Sequence, residues 1–274
     1  MNKLMDGKKV RDLKLEELKN KIDKLDKKLT LCVISVGDNP ASKVYIKQKE
    51  KFAMLVGYDF LDLHYDFINE DELINKINEL NNDSNITGMI VQLPLPDYLN
   101  KNKIINTIDP LKDVDGLTNT NLIKLIKKED GLVPCTPKGI LTLFDYYKVD
   151  LHKNIVIIGR SELVGLPMFH LLLNKDATVT LCHSKTNNLG NITKNANILI
   201  VAVGKKGLIT KDMIKEDAII IDVGINKVDD KLYGDVESDC IDKSSLMTPV
   251  PGGVGPMTVL SLMENVYNAY LMQK

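Results

Sequence analysis

The sequence has too few cysteines, too widely spread, to describe a disulfide framework. Cys32, Cys135, Cys182 and Cys240 form no CxxC pair and no Cys/His ligand spacing. Two of them, Cys32 and Cys182, fall inside strand-like runs, so the four read as reduced core thiols. The histidines His64, His152, His170 and His183 are equally scattered, which leaves no metal-ligand pattern. An excess of charge of either sign is missing too: 36 Lys+Arg face 37 Asp+Glu. The lysines are interspersed with acids, as in Lys14-Leu15-Glu16-Glu17, so a nucleic-acid partner is unsupported. Long apolar runs are absent, since stretches such as Ile198 to Val203 fall far short of a bilayer span, and Met1 to Asp6 carries no apolar signal region. The expected compartment is the cytoplasm, with no membrane partner. There is no internal repeat and no low-complexity tail.

What the chain does have is 274 residues, 44% hydrophobic and 27% charged, enough for two ordinary domains with a core each. Leu15, Leu18, Ile22 and Leu25 recur at helical spacing and predict a helix over 14–29. The buried strand Leu31 to Val36 follows, stopped by Gly37-Asp38-Asn39-Pro40. A helix from about Ser42 to Leu55 closed by Gly57, a strand from Asp59 to Leu63, a helix around Leu73 to Leu80 and a strand from Gly88 to Leu93 come next. Alternation of this kind predicts a parallel sheet. The prolines of Leu132-Val133-Pro134-Cys135-Thr136-Pro137 interrupt the pattern and mark a domain crossover before a helix from Lys138 to Tyr147. Beyond it, strands at 154–158, 177–182, 198–203 and 218–223 predict a second α/β unit. Pro249 to Pro256 is too rich in Gly and Pro for regular structure, and a last helix is expected over 257–271.

The strand ending at Ile158 runs into Gly159-Arg160-Ser161-Glu162-Leu163-Val164-Gly165 and then a helix from about Pro167. A glycine after a buried strand lets the backbone approach a pyrophosphate, which the following helix N-terminus stabilises. Ser161 stands where GxGxxG has its second glycine, so the loop by itself reads either as a cofactor loop or as a plain turn. The next strand ends in Cys182-His183-Ser184-Lys185-Thr186, without the acid that would receive an NAD ribose hydroxyl. Arg160, Ser184 and Lys185 offer donors suited to a 2′-phosphate, which favours NADP over NAD. A solvated polar loop is the alternative for Lys185.

Tyr45 and Lys49 lie four apart and share one helix face, where they serve either a common ligand or simply the solvated surface. Gln92 interrupts the apolar strand end Val91-Gln92-Leu93-Pro94-Leu95-Pro96, at the carboxyl edge of a parallel sheet, where ligands bind. It is a site residue or a buried amide satisfied by backbone. In Asp113-Val114-Asp115-Gly116 a carboxylate accepts from an amino-substituted heterocycle or forms an Asx turn.

Taken with Ala41-Ser42, Pro134-Cys135-Thr136-Pro137 and the segment Pro249-Val250-Pro251-Gly252-Gly253-Val254-Gly255-Pro256-Met257-Thr258, these motifs resemble the methylenetetrahydrofolate dehydrogenase/cyclohydrolase family over nearly the whole chain. The resemblance implies a fold of an N-terminal α/β substrate domain, residues 1–137 plus 256–274, facing a C-terminal Rossmann-type dinucleotide-binding domain, 138–255. The last helix is expected to pack back on the first domain. It implies NADP-dependent oxidation of 5,10-methylenetetrahydrofolate and hydrolysis of the methenyl product to 10-formyltetrahydrofolate in one shared cleft of a homodimer, serving one-carbon metabolism and purine biosynthesis. By the same resemblance Lys49 is the catalytic lysine, oriented by Gln92. Tyr45 packs along the pterin and Asp115 accepts from the pterin N–H groups. Val91 and Leu93, together with Pro251, Gly252, Gly253, Val254 and Gly255, line the folate pocket. Gly159, Arg160, Ser161, Ser184 and Ile225 hold the cofactor.

One departure is Val266, where many relatives carry Thr. Three rivals are weaker. A dehydrogenase lacking the hydrolase step leaves the set Lys49, Gln92 and Tyr45 without a purpose. A Rossmann oxidoreductase for an amino or hydroxy acid does not explain 91–96 or 249–258. A non-catalytic dinucleotide-binding regulator predicts cofactor binding without folate binding.

Overall fold

The computed structural model describes residues 3–274. In chain order the elements are α1 (Gly7–Ile22), β1 (Thr30–Val36), α2 (Pro40–Val56), β2 (Asp59–Tyr65), α3 (Glu70–Asn82), β3 (Gly88–Val91), α4 (Lys101–Ile105) and α5 (Asn119–Lys127). They continue with α6 (Cys135–Tyr146), β4 (Asn154–Ile158), α7 (Gly165–Leu173), β5 (Thr178–Cys182), α8 (Leu189–Thr193) and β6 (Ile198–Val201). The chain closes with β7 (Ile219–Asp222), β8 (Asn226–Val228), β9 (Lys231–Tyr233), β10 (Leu246–Met247) and α9 (Val254–Met272). None of these helices is long and apolar enough to cross a membrane.

The chain divides into two compact units, one comprising 13–135 with 259–274 and the other 136–258 with the N-terminal segment through Asp12. The first holds a three-stranded parallel sheet in the order β2-β1-β3, with Leu31 opposite Gly88 and Ile34 opposite Val91. The central strand β1 is buried almost throughout, which is why it reads as a continuous apolar run. Helix α2 starts where Asn39 Oδ1 accepts from the N–H groups of Ala41 and Ser42 at 3.0 and 3.2 Å, with Pro40 in the first turn, and it ends at Gly57 with φ +94°. The last helix belongs to this unit from Val259 onward. It is tied there by Tyr58 Oη donating to the Met263 carbonyl at 2.8 Å and by Gln273 Nε2 donating to the carbonyls of Thr87 and Leu111.

The second unit is a five-stranded parallel sheet in the order β10-β7-β6-β4-β5. Its strands β4 and β6 are almost wholly apolar and buried. A short antiparallel hairpin, β8 and β9, follows β7, its tight turn made by Asp229 and Asp230, both at positive φ.

Several helix boundaries differ from the sequence expectation; α1 ends at Ile22, short of the expected residue 29, and the early starts of α1, α6 and α9 each have a physical reason. Helix α1 starts seven residues before the predicted Lys14, because its first N–H groups, from Gly7 and Lys8, find an acceptor 245 and 244 positions away in the Gly252 carbonyl. Asp6 caps that start locally as well, its Oδ1 accepting from the Lys9 N–H at 3.0 Å. Helices α6 and α9 begin at Cys135 and Val254, before the predicted Lys138 and Met257, and carry Pro137 and Pro256 in their first turns. Proline lacks only an N–H that is unpaired in a first turn anyway, so it marks a helix start there and not a break.

Candidate active site

In the first unit the carboxyl ends of the parallel strands gather the chemistry-bearing residues. Helix α2 leaves β1 and carries Tyr45 and Lys49 one turn apart, while Gln92 immediately follows β3. Lys49 Nζ donates to Gln92 Oε1 at 2.6 Å, and Gln92 Nε2 donates to the Leu93 carbonyl at 2.7 Å. The second bond fixes the amide so that its oxygen, not its nitrogen, faces the lysine. One end of Gln92 is satisfied by backbone and the other is committed to Lys49.

The two carboxylates of the 113–116 loop have different partners. Asp113 is the turn former: it accepts from the N–H groups of Gly116 and Thr118 at 3.0 and 2.8 Å and from Asn121 Nδ2 at 2.9 Å. Asp115 instead faces Lys49 and the Cys135 thiol. Removal from water raises its pKa above the ordinary carboxylate value, against the pull of the Lys49 charge. Lys49 is held below the usual lysine range, first by the same desolvation, with Asp115 opposing it. A lysine that parts with its proton more readily than in water, held by an amide oxygen and next to a carboxyl, can receive a proton from a water molecule.

The sequence reading missed Asn265, which organises this loop from helix α9. Its side chain is buried, and Nδ2 donates to the carbonyls of Val114 at 2.9 Å and Val133 at 2.8 Å and approaches Cys135 Sγ at 3.7 Å. Asn265 thereby joins the segment that bears Asp115 to the segment that bears Cys135. An asparagine inside an otherwise apolar helix was the available signal. Tyr45 stays 45% exposed on α2, and Val91 is buried as the last residue of β3 with half-buried Leu93 beyond it.

In the second unit, β4 is flanked by β5 on one side and β6 on the other, so the crevice at its carboxyl end is the topological switch point of the sheet. Gly159 occupies it with φ +115°, and a Cβ there would strike the Ala202 carbonyl at the end of β6. A Cβ on Gly165, the first residue of α7, would strike the Gly159 carbonyl. Two glycines six apart therefore bring the helix N-terminus onto the strand exit, a cradle that fits a dinucleotide pyrophosphate. No side chain caps that helix terminus. Ser161 Oγ accepts from the Val164 N–H at 3.2 Å and shapes the loop where a second glycine was expected. Arg160, Ser184 and Lys185 are exposed, the last two in a turn where His183 Nδ1 accepts from the Lys185 N–H.

In the same unit Gly252, at φ +110°, and Gly253, whose Cβ would crowd Thr248 and the Pro249 carbonyl at 2.6 and 2.7 Å, are demanded by the loop itself. Gly255 has open space around its Cα, with Ile225 Cδ1 at 4.0 Å from where a Cβ would lie. Pro251 and Gly252 also line a cavity of about 210 Å³ with Leu4, Asp6, Lys8 and Pro249. Val254 opens α9 and is buried.

A Rossmann-type sheet with a glycine-built switch point, together with an α/β unit bearing a desolvated lysine, defines the class as dinucleotide-binding α/β enzymes. The particular family follows from comparison. Residues 5–115 match the catalytic domain, and residues 134–274 the NAD(P)-binding domain, of tetrahydrofolate dehydrogenase/cyclohydrolase, and the chain belongs to that family. It is 48% identical over 279 residues to the bifunctional protein FolD of Streptococcus agalactiae, covering 99% of this chain and 98% of that one. Its fold matches the crystal structure of the Campylobacter jejuni bifunctional FolD enzyme at TM-score 0.97, with 44% identity over 99% of both chains. The FolD of Trypanosoma brucei, solved with NADP cofactor and inhibitor, matches at TM-score 0.92 with 31% identity, covering 98% of this chain and 97% of that chain.

Proposed function

We propose that this chain oxidises 5,10-methylenetetrahydrofolate to the 5,10-methenyl cation with NADP+ and hydrolyses that cation to 10-formyltetrahydrofolate. The observation that carries the reading is the Lys49, Gln92 and Asp115 cluster, within a segment that matches the family's catalytic domain. In the hydrolytic step water adds to the methenyl carbon, forming a C–O bond, and gives one proton to neutral Lys49. As the C=O forms, the hydroxyl proton leaves, the bond from carbon to N5 breaks and N5 takes up a proton. The formyl group stays on N10 and one proton is released overall. Gln92 keeps the amine aimed, and Asp115 accepts the pterin N–H groups while Tyr45 lies along the ring. Val91 and Leu93 offer backbone and apolar contact at the strand end.

When bound, NADP+ supplies the hydride acceptor. The residues for it are Gly159, Arg160 and Ser161 on the pyrophosphate side, Ser184 toward a 2′-phosphate, and Ile225. Oxidation leaves a cation stabilised by two folate nitrogens and asks the protein for positioning alone, not for an acid or base. A cytoplasmic homodimer is the accompanying expectation, which sedimentation checks for the dimer. The deciding experiment offers purified protein methylenetetrahydrofolate with NADP+ or NAD+, then methenyltetrahydrofolate alone, for the wild type and for Lys49→Met. Loss of hydrolysis in the variant is the expected result. A wild type that binds NADP+ and turns over neither folate overturns the reading.

A further inference from the structure

Two fully buried carboxylates in the second unit lie outside the chemistry derived above. Asp235, 0% exposed, follows the β8–β9 hairpin. Its Oδ2 accepts from the backbone N–H groups of Val203 and Gly204 at 2.8 and 2.9 Å, and its Oδ1 from the Lys205 N–H at 2.7 Å and Asn226 Nδ2 at 3.0 Å. Three successive N–H groups of the loop leaving β6 thus converge on one side chain. Asp222, at the end of β7, receives the N–H groups of Gly224, Asp235 and Val236 at 3.1, 2.9 and 3.0 Å. The two aspartates are linked, because the backbone N–H of one donates to the side chain of the other.

The effect of this pair falls on two exposed apolar side chains. Ile225 lies between Gly224, held by Asp222, and Asn226, held by Asp235, and it remains 48% exposed. Val203 is 39% exposed although its own N–H is bound to Asp235, and its Cγ1 lies 3.5 Å from where a Cβ on Gly159 would sit. Val203 therefore stands in the switch-point crevice. Apolar side chains left in water by segments that two buried aspartates hold with seven hydrogen bonds between them are not there for core packing, because buried charge-assisted bonds fix geometry at the cost of desolvation.

We infer that Asp235, linked to Asp222, is a positioning residue that holds Val203 and Ile225 as a rigid apolar wall for the nicotinamide end of the dinucleotide. The inference rests on the proposed NADP-dependent reaction and adds Val203 to the cofactor surface. A preformed wall spares the ligand the ordering of a loop, so its loss weakens nucleotide binding while leaving folate hydrolysis, which needs no nucleotide, in place.

The test compares the wild type with Asp235→Asn and Asn226→Ala. The first turns an acceptor oxygen into an N–H donor facing other donors. The second removes one donor and keeps the carboxylate, so it stays informative if the first fails to fold. Calorimetric binding of NADP+ is expected to weaken roughly tenfold in Asp235→Asn, the weight of one charge-assisted bond. Asn226→Ala shifts in the same direction by less. The KM for NADP+ rises in step, the KM for methylenetetrahydrofolate stays put, and hydrolysis of methenyltetrahydrofolate without nucleotide remains at the wild-type rate. Unchanged NADP+ binding in a folded variant overturns the inference. So does hydrolysis that falls in parallel with binding, because that is the mark of a general structural defect. If the wild type binds NADP+ but turns over no folate, the proposed reaction fails, while the binding comparison still decides the role of Asp235.

Discussion

Replacing Lys49 by Met tests whether chemistry and stability come apart at this position. The side chain keeps its length and loses its amine, and with it the 2.6 Å bond to Gln92. A positioned general base contributes roughly 10²- to 10⁴-fold, so hydrolysis of methenyltetrahydrofolate should fall by about that factor. Stability should move the other way. Lys49 is held below its ordinary 10.5 by desolvation, so between the two values the unfolded chain binds more protons than the folded one, and stability rises with pH across that window. On the acid side of the free-lysine value the buried side chain costs stability, either as a desolvated ammonium or as an amine that has given up its proton, and methionine removes that cost. Gln92 is only half-buried, so water can replace its lost partner. The variant is thus expected to be at least as stable as the wild type at pH 7, with the difference shrinking as pH approaches that of a free lysine. Spectrophotometric hydrolysis rates and urea unfolding at several pH values decide it. Hydrolysis within tenfold of the wild type would refute the base assignment, and a loss of activity matched by an equal loss of stability would refute the argument from desolvation.

Asp115→Asn removes the charge that raises the pKa of Lys49, so the rise of hydrolytic kcat/KM with pH should move to lower pH while KM for the folate increases; a pH–rate profile that does not move argues against their coupling. Asn265→Ala removes the side-chain amide that donates to the Val133 and Val114 carbonyls, the latter keeping only the Cys135 thiol, for an expected loss of about 1 to 3 kcal/mol in urea unfolding. Gly165→Ala drives a methyl into the Gly159 carbonyl, and a cost of about 1–3 kcal/mol with weaker NADP+ binding is expected from calorimetry, folate hydrolysis being spared.

Much of this molecule was legible before any coordinates. β1 and β4 are buried apolar runs between turn residues, and the Asn39-Pro40 start and Gly57 stop of α2 are local signals. The same holds for Lys49 and Gln92, whose meeting follows from one residue lying on the helix after a strand and the other at the end of the neighbouring strand. What escaped was set at long range. Asn265 reads as one more helical residue until its donors reach residues more than 130 positions away. Asp222 and Asp235 look like strand-end and hairpin polar groups, since nothing local says that three consecutive N–H groups of another loop will turn toward one of them. Of the three glycines in the 252–255 segment, two answer to the internal geometry of the loop, which no local pattern announces.

The pairing of the chain's beginning with its last loop bears on how the protein comes into being. Met5 donates to the Met247 carbonyl, Met247 to that of Lys3, and both Gly7 and Lys8 to that of Gly252. On a ribosome the acceptors at 247 and 252 are made about 240 residues after residues 3–8, whose donors wait in water meanwhile. A contact of such separation adds little to early folding and much to final closure. Amide exchange begun on nascent chains stopped before residue 247 should therefore find the first turn of α1 open, and the same amides should close only when the 247–253 segment is released.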